Sequence, residues 1–287
     1  MRARIAIATY DGAPGLAPDD QTILPALDAE GIDGEAAVWS NRSVPWDSFD
    51  AVLIRSCWDY HLHIAEFRDW LAGLETIGAC VWNDPTIVRW NADKRYLIDL
   101  AGRGVTTIPT AAVLAGNGRE VEDIVASNGW RAFVLKPAIS ASGYETHLFN
   151  RPLDDTDRAT IARVTSRRDV LVQPFAEEVR RDGELSFTFI DGAYSHATLK
   201  RATVGEFRVQ TEHGGSVEAA HPPRSLVDEA VCALDGFPEA PLYARVDGIV
   251  RDGSFLLMEL ELIEPNLFLA CAPGAARRLA RAVAARL

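Results

Sequence analysis

The chain opens with an apolar run, Arg4–Thr9, that breaks at Tyr10-Asp11-Gly12 and reads as a buried strand. A helical pattern over Asp19–Glu30 follows and stops at Gly31. Glu35–Trp39 and Asp50–Arg55 read as further strands, and Ala79–Trp82 as a short one. Between them, His61–Glu75 repeats apolar residues at Leu62, Phe67, Leu71 and Leu74, which predicts a helix ending before Gly78. Strand–helix alternation of this kind predicts a parallel sheet with helices on its faces, so the N-terminal part reads as an α/β domain. In such sheets ligands bind at the loops after the strands, here Tyr10–Gly15 and Ser56–Tyr60.

The pattern changes after a predicted helix at Asp93–Ala101. Ala132–Lys136 and Val170–Pro174 read as strands, the first followed by the small-residue loop Pro137–Gly143. Two hairpins carry Asp-Gly turns. One joins Glu184–Ile190 to Ala193–Leu199 through Asp191-Gly192, and the other joins Tyr243–Val250 to Ser254–Glu261 through Asp252-Gly253. Hairpins mixed with helices predict an α+β second half, and Ala272–Leu287 reads as a closing helix. The domain boundary is expected near residue 103, with 1–103 as the first domain and 104–287 as the second.

A length of 287 residues suits one large or two modest domains. The formal net charge of −12 argues against a general nucleic-acid or anionic-membrane surface, though not against a small anionic ligand. No run is long and apolar enough for a targeting core or a membrane span. Cys57, Cys80, Cys232 and Cys271 show no metal or redox spacing, which suits reduced thiols in a cytoplasmic protein. The first strand lacks a GxGxxG sequel, so a dinucleotide fold is disfavoured, and no Walker motif occurs.

Of 29 basic residues only Lys94, Lys136 and Lys200 are lysines. Arginine replaces lysine readily on a surface but not where a compact ammonium is needed, so these three positions are candidates for a site. Lys136 ends a strand immediately before the Ser/Gly loop, whose backbone amides suit a phosphate. Near the C-terminus, Asp247 lies on one hairpin strand, and Glu259 and Glu261 lie two apart on its partner, facing the same way. Three acids there would repel one another without a cation, and oxygen-only donors suit Mg²⁺. The competing reading is a solvated hairpin face.

Taken in order, these features resemble the ATP-grasp superfamily, in particular its glutathione-synthetase-like branch. The matching stretches are Asn91–Leu97, Val134–Pro137, Gly183–Ser186, Phe207–Gln210 with His213-Gly214-Gly215, Ala244–Asp247 and Met258–Pro265. The resemblance runs from about Lys94 to Asn266. It implies a two-lobed α+β ATP-grasp domain (lobes 104–176 and 177–287) behind the parallel-sheet α/β domain. It implies ATP and Mg²⁺, with Lys94 and Lys136 on the phosphates and Gln173, Pro174, Phe175 and Ala176 as the adenine hinge. Glu177, Glu178 or Glu184 would take the ribose, and Lys200 would meet adenine, phosphate or solvent. Asp247, Glu259 and Glu261 would hold Mg²⁺. The family commonly has Glu-x-Asn where this chain has Glu259-Leu260-Glu261, so Glu261 is a departure that keeps an oxygen donor.

The resemblance further implies a carbon–nitrogen ligase that works through an acylphosphate, with Arg208 and Arg245 as catalytic candidates against the developing charge. Gly205–Gly215 would form a mobile lid. Ser195–Lys200 with Gly214-Gly215 is also similar to ligases of antibiotic and amino-acid biosynthesis, including the cycloserine-forming type. The expected partner is a small amino-acid-like molecule; a homodimer stays open. Arg55, Ser56 and Asp59, with Tyr10 and Gly215, are candidates to recognise that substrate. A helix cap with packing aromatics explains Arg55–Tyr60 equally well. His196 and His213 read as acid–base groups or as structural histidines. A kinase on the same fold and a non-catalytic nucleotide-binding regulator are the alternatives.

Overall fold

The computed structural model of the protein describes residues 2–203, 205–209 and 213–287. Its first unit is a parallel sheet of β1 (Ala3–Thr9), β2 (Ile32–Val38), β3 (Ala51–Ser56) and β4 (Val81–Trp82), in the order β2-β1-β3-β4. Helices α1 (Pro18–Gln21), α2 (Ile23–Ala29) and α3 (Ile64–Thr76) connect the strands. The predicted helix Asp19–Glu30 is therefore two helices, divided at Thr22. The α3 face buries Phe67, Leu71 and Leu74 at helical spacing against Val52, Ile54 and Trp39. Leu62, expected on that stripe, precedes the helix and is exposed.

Helices α4 (Pro85–Asn91) and α5 (Tyr96–Gly102) lead out of this unit. The sequence reading missed α4, although its start is well marked: Asp84 caps the Thr86 amide at 2.7 Å and Pro85 occupies the first turn. Helix α5 begins three residues later than expected and leaves Lys94 in the connection.

The second unit holds two antiparallel sheets. The smaller contains β5 (Ala111–Val113), β6 (Ala132–Pro137), β7 (His147–Asn150) and β8 (Val170–Pro174), in the order β5-β8-β6-β7. Helices α6 (Glu120–Ser127) and α7 (Asp155–Thr165) pack on it through Val121, Val125, Ile161 and Val164. The larger follows α8 (Glu178–Arg181) and contains β9 (Glu184–Ile190), β10 (Ala193–Arg201), β11 (Ser216–Ala220), β12 (Tyr243–Arg251) and β13 (Ser254–Glu261). Its order is β11-β10-β9-β12-β13, with α9 (Arg224–Val231) against one face. Both Asp-Gly turns have positive φ at both residues, as tight hairpins require. The closing helix α10 (Ala275–Arg286) buries Leu279 and Val283 with Leu27 of α2 and Ile5 of β1, so the chain's two ends share one core.

Strand β13 lies at the edge of its sheet, where unpaired backbone groups normally invite another strand. Here they are taken internally. Leu257 exchanges two backbone hydrogen bonds with Thr106 and Ile108. The Tyr96 hydroxyl accepts from the Leu260 amide at 3.0 Å. Asn91 donates to the Leu260 carbonyl and accepts from the Leu262 amide, both at 2.8 Å, and Asn83 donates to the Leu262 carbonyl at 2.9 Å. The edge is thereby fixed to the first unit by side chains that cannot shift independently of it.

Removing the Asn91 amide would leave a buried donor and a buried acceptor without partners, at roughly 1–3 kcal/mol each. Asn91→Ala is expected to lower unfolding stability by about 2–4 kcal/mol, read by denaturant melting. A loss of less than about 0.5 kcal/mol would show that the β13 edge does not depend on Asn91.

Candidate active site

The two sheets of the second unit face each other across a cleft that reaches the first unit. All three lysines of the chain line it. So do Gln173, Pro174, Phe175, Ala176, Glu184, Arg208, Arg245, Asp247, Glu259 and Glu261. Residues scattered over much of the sequence meet because strand register aligns them. Lys200 of β10 is directly opposite Glu184 of β9, Asp247 of β12 opposite Glu259 of β13, and Arg245 opposite Glu261. Arg245 and Asp247 are two apart, as are Glu259 and Glu261, so each pair shares one face. A bulge after Asp247 falls at Gly248, where any side chain would collide with the Leu256 carbonyl and the Phe255 ring.

The expected repulsion among three acids is met by the chain itself. Lys94 Nζ donates to Glu259 at 2.5 Å. Lys200 Nζ lies 2.5 Å from Glu184 and 3.0 Å from Asp247. Arg245 forks onto Asp247 at 2.9 and 2.8 Å, bonds Glu261, and donates through Nη1 to the Asn266 carbonyl at 2.9 Å. Among the described residues no three His, Cys, Asp or Glu side chains close into a metal-binding group. The carboxylates are drawn toward three separate cations instead. The donor set nonetheless fits Mg²⁺, being entirely carboxylate oxygen. A divalent ion would take over the neutralisation that Lys94, Lys200 and Arg245 now provide.

Protonation follows from burial and pairing. Burial works against the charges of Lys94, Lys200 and Arg245, but the facing carboxylates outweigh it and raise each pKa. Burial opposes ionisation of Asp247 and Glu259 too, yet their cations hold both below the ordinary range. Glu261 is pushed up to about 7 by burial, with Glu259 and Asp247 adding to the rise. Lys136 differs: burial lowers its pKa, and it makes no ion pair among the described residues. It is a cation without a counter-ion, at the strand end that leads into Pro137–Gly143. Ser140, Ala141, Ser142 and Gly143 of that loop line the cleft, and the Ala138 carbonyl accepts from the Lys94 amide at 2.7 Å.

At the far end, Gln173–Ala176 is flanked by Ile108, Val134, Val179 and Met258, an apolar slot beside a backbone edge. Gln173 is turned away to donate to Thr110 at 2.9 Å. Of the three ribose candidates only Glu184 lines the cleft; Glu178 is bound by Arg251 and Glu177 is exposed. Phe207 packs edge-on to Phe175, and Arg208 forks onto Glu206. Gln210 and the next two positions of the expected lid, 211 and 212, lie outside the described residues.

The substrate candidates stand apart from the cleft lining. Arg55 and Ser56 are fully buried and both bind Asp20, at 3.0 and 2.9 Å from the guanidinium and 2.7 Å from the hydroxyl. Asp59 accepts from the Trp39 indole at 2.8 Å, and Tyr10 leans on Trp58. Gly215 precedes β11 and does not reach the lining, which its neighbour Val217 does. The physical reason is that a buried guanidinium finds a carboxylate within its own domain before it can serve a ligand. From the same loop, Trp58 and Tyr60 do reach the cleft. His196 is structural, bridging the Leu267 carbonyl and Ser195, each at 2.9 Å. Sequence reasoning missed Asp20 and Asn83, single polar residues outside any motif, and gave no role to Asn91, Tyr96 or Glu264 although they lie in the matching stretches Asn91–Leu97 and Met258–Pro265.

The geometry agrees with comparison to known proteins. The chain is 35% identical over 286 residues to the cycloserine biosynthesis protein DcsG of Streptomyces lavendulae, covering 94% of this chain and 95% of that one. The chain belongs to the DcsG family of ATP-dependent ligases. Residues 5–83 match the family described as D-cycloserine synthetase DcsG, N-terminal domain. The crystal structure of D-cycloserine synthetase DcsG superposes with a TM-score of 0.91 at 31% identity, covering 99% of each chain. The ATP-grasp ligase PsnB, solved with its minimal precursor, Mg and ADP, shares the fold at a TM-score of 0.65 and 17% identity, with 98% of this chain and 97% of that one covered. The protein is therefore an ATP-grasp ligase, with a parallel-sheet N-terminal domain ahead of the antiparallel sheets.

Lys200 is buried between two carboxylates, 2.5 Å from Glu184 and 3.0 Å from Asp247, and a larger planar guanidinium would disturb both pairs. Lys94→Arg, Lys136→Arg and Lys200→Arg are each expected to cut turnover on the order of a hundredfold, through displaced phosphates or carboxylates. Surface controls such as Arg278→Lys should behave as wild type. Turnover and ATP affinity measured side by side check this, and three variants matching the control would remove the lysines from the site.

Proposed function

We propose that this ligase activates a carboxylate of a small amino-acid-like substrate as an acylphosphate and then forms a carbon–nitrogen bond, with cycloserine or a close analogue as product. The observation that carries the reading is the unpaired Lys136 beside the small-residue loop, facing the shared carboxylates of β12 and β13. The relatives named for cycloserine supply the product class.

Adenine would lie along Gln173–Ala176 between Ile108, Val134 and Met258, and Glu184 would be within reach of the ribose. Lys94 and Lys136 would hold the phosphates. Asp247, Glu259 and Glu261 would bind Mg²⁺, which when present draws charge from the phosphate oxygens. As phosphate replaces Glu259 as the partner of Lys94, the freed carboxylate becomes available as a ligand. The substrate carboxylate attacks the γ-phosphate, giving acylphosphate and ADP. The nitrogen nucleophile then attacks the acyl carbon and phosphate leaves. Arg245 retains one Nη1 hydrogen not used by Asp247, Glu261 or Asn266, which suits it to a developing acyl oxyanion. Arg208, held by Glu206 next to the cleft, suits the phosphoryl oxygens. Gly205–Gly215 would close over the intermediate and keep water out. The partition of the chain at residue 103 belongs to the same reading.

The test is phosphate release with ATP and Mg²⁺ across D- and L-amino acids and their O-substituted derivatives. Substrate-dependent release of inorganic phosphate in equal amount to ADP is expected. ADP without free phosphate would point to a kinase, and no turnover with any substrate would favour a nucleotide-binding regulator.

A further inference from the structure

The cleft holds a second ionisable group without a partner among the described residues, and it is an acid where Lys136 is a base. Glu264, three residues beyond the last proposed metal ligand, lines the cleft, and among the described residues its carboxylate makes neither an ion pair nor a hydrogen bond. Lys94, Lys200 and Arg245 are already committed to Glu184, Asp247, Glu259 and Glu261. Lys136, the one cleft lysine without an ion pair among the described residues, makes none with Glu264 either. Burial, reinforced by the charge of Glu261, raises its pKa well above the usual carboxylate range. Its side chain is half-buried in the cleft wall, where an ionised carboxylate is less well solvated than at an open surface and has no counter-charge of its own.

The backbone around Glu264 is unusually constrained. Five consecutive carbonyls each accept from a side chain. The Tyr243 hydroxyl donates to Ile263 at 2.8 Å, the Trp58 indole to Glu264 at 3.1 Å, and Arg55 to Pro265 at 2.5 Å. Arg245 donates to Asn266 at 2.9 Å, and Thr188 to Leu267 at 3.2 Å. Arg55 is itself locked by Asp20 and by the Tyr243 ring, 4.7 Å from its guanidinium. Arg55, one of the residues expected to meet substrate, thus holds this segment in place. A segment fixed this firmly presents its side chain in one place, which is how a recognition group is preorganised.

Trp58 and Tyr60 line the same part of the cleft as Glu264. A carboxylate beside aromatic rings in a partly desolvated corner favours an organic ammonium, through charge pairing and ring-face attraction together. Resting on the ligase reading above, we infer that Glu264, walled by Trp58 and Tyr60, binds the ammonium group of the amino-acid-like substrate and so fixes which end of it faces the γ-phosphate. Lys136 and Glu264 then mark the two ligands by their missing charges: an anion at the loop and a cation at the first-unit side.

The probes are D-cycloserine and the same ring without its amino group, isoxazolidin-3-one, titrated calorimetrically near neutral pH into the full chain. Wild type is expected to prefer the amino compound by about tenfold or more. Glu264→Gln should bind both rings alike, and Glu264→Asp should keep part of the preference. ATP affinity and circular dichroism measured on the same samples are expected to match wild type, which separates the subsite from folding and from the nucleotide site. A Glu264→Gln protein that keeps the full preference, or a wild type that binds both rings equally, overturns the subsite while leaving the ligase reading intact. A wild type that binds neither ring, with ATP bound normally, overturns the product class and the subsite together.

Discussion

Taking a charge out of water is costly without a partner, and most of the charged groups in this cleft are paired with one another. Four carboxylates and three cations are paired there, Lys94 with Glu259, and Lys200 and Arg245 with Glu184, Asp247 and Glu261. Strand register aligns six of the seven, since Lys200 opposes Glu184, Arg245 opposes Glu261 and Asp247 opposes Glu259, and Lys94 comes from the connection between α4 and α5. The pairs neutralise one another across the cleft. On the proposed reading, phosphate and a divalent ion would each take one half of an existing pair. Ligand binding then costs less desolvation than it would in a cleft of bare charges, because these groups were dehydrated on folding.

Such a network needs a rigid frame. Strand β13, which carries two of the carboxylates, is an edge strand, and its exposed side is held by Asn83, Asn91 and Tyr96 from the connection out of the first unit. The segment after it is held by Tyr243, Trp58, Arg55 and Arg245. Arg245 contributes to both arrangements, bonding the carboxylates on one side and the Asn266 carbonyl on the other. Packing of α10 with α2 and β1 ties the far end of the chain into the same frame.

The hairpins were legible because Asp-Gly turns and alternating strands are local signals, and β8, β9 and β13 begin and end where the pattern predicts. Helices α6, α7 and α9 went unread: α6 and α9 are only eight residues each, too short to show a repeated period, and α7 is rich in charged residues with a weak apolar stripe. The three lysines could be singled out because arginine is so dominant elsewhere. The carboxylates could be singled out by their spacing. Arg55 is paired with Asp20 within the first unit, which nothing in the sequence indicates, since no local pattern shows that Asp20 will be buried beside it. Glu264 lies in the matching stretch Met258–Pro265 but had no role assigned. A lone acid three residues past an acidic pair looks like part of that pair, and only the completed pairing of its neighbours shows it to be left over.

The central claim is that the internal ion pairs are placeholders for a magnesium–nucleotide complex. The most direct measurement is calorimetric ATP affinity with and without Mg²⁺, in wild type and in Glu261→Gln. The account predicts that Mg²⁺ tightens ATP binding to wild type by about tenfold or more, and that Glu261→Gln loses most of that gain while remaining folded. ATP affinity that is indifferent to Mg²⁺ in wild type, or a full Mg²⁺ effect in Glu261→Gln, would contradict it.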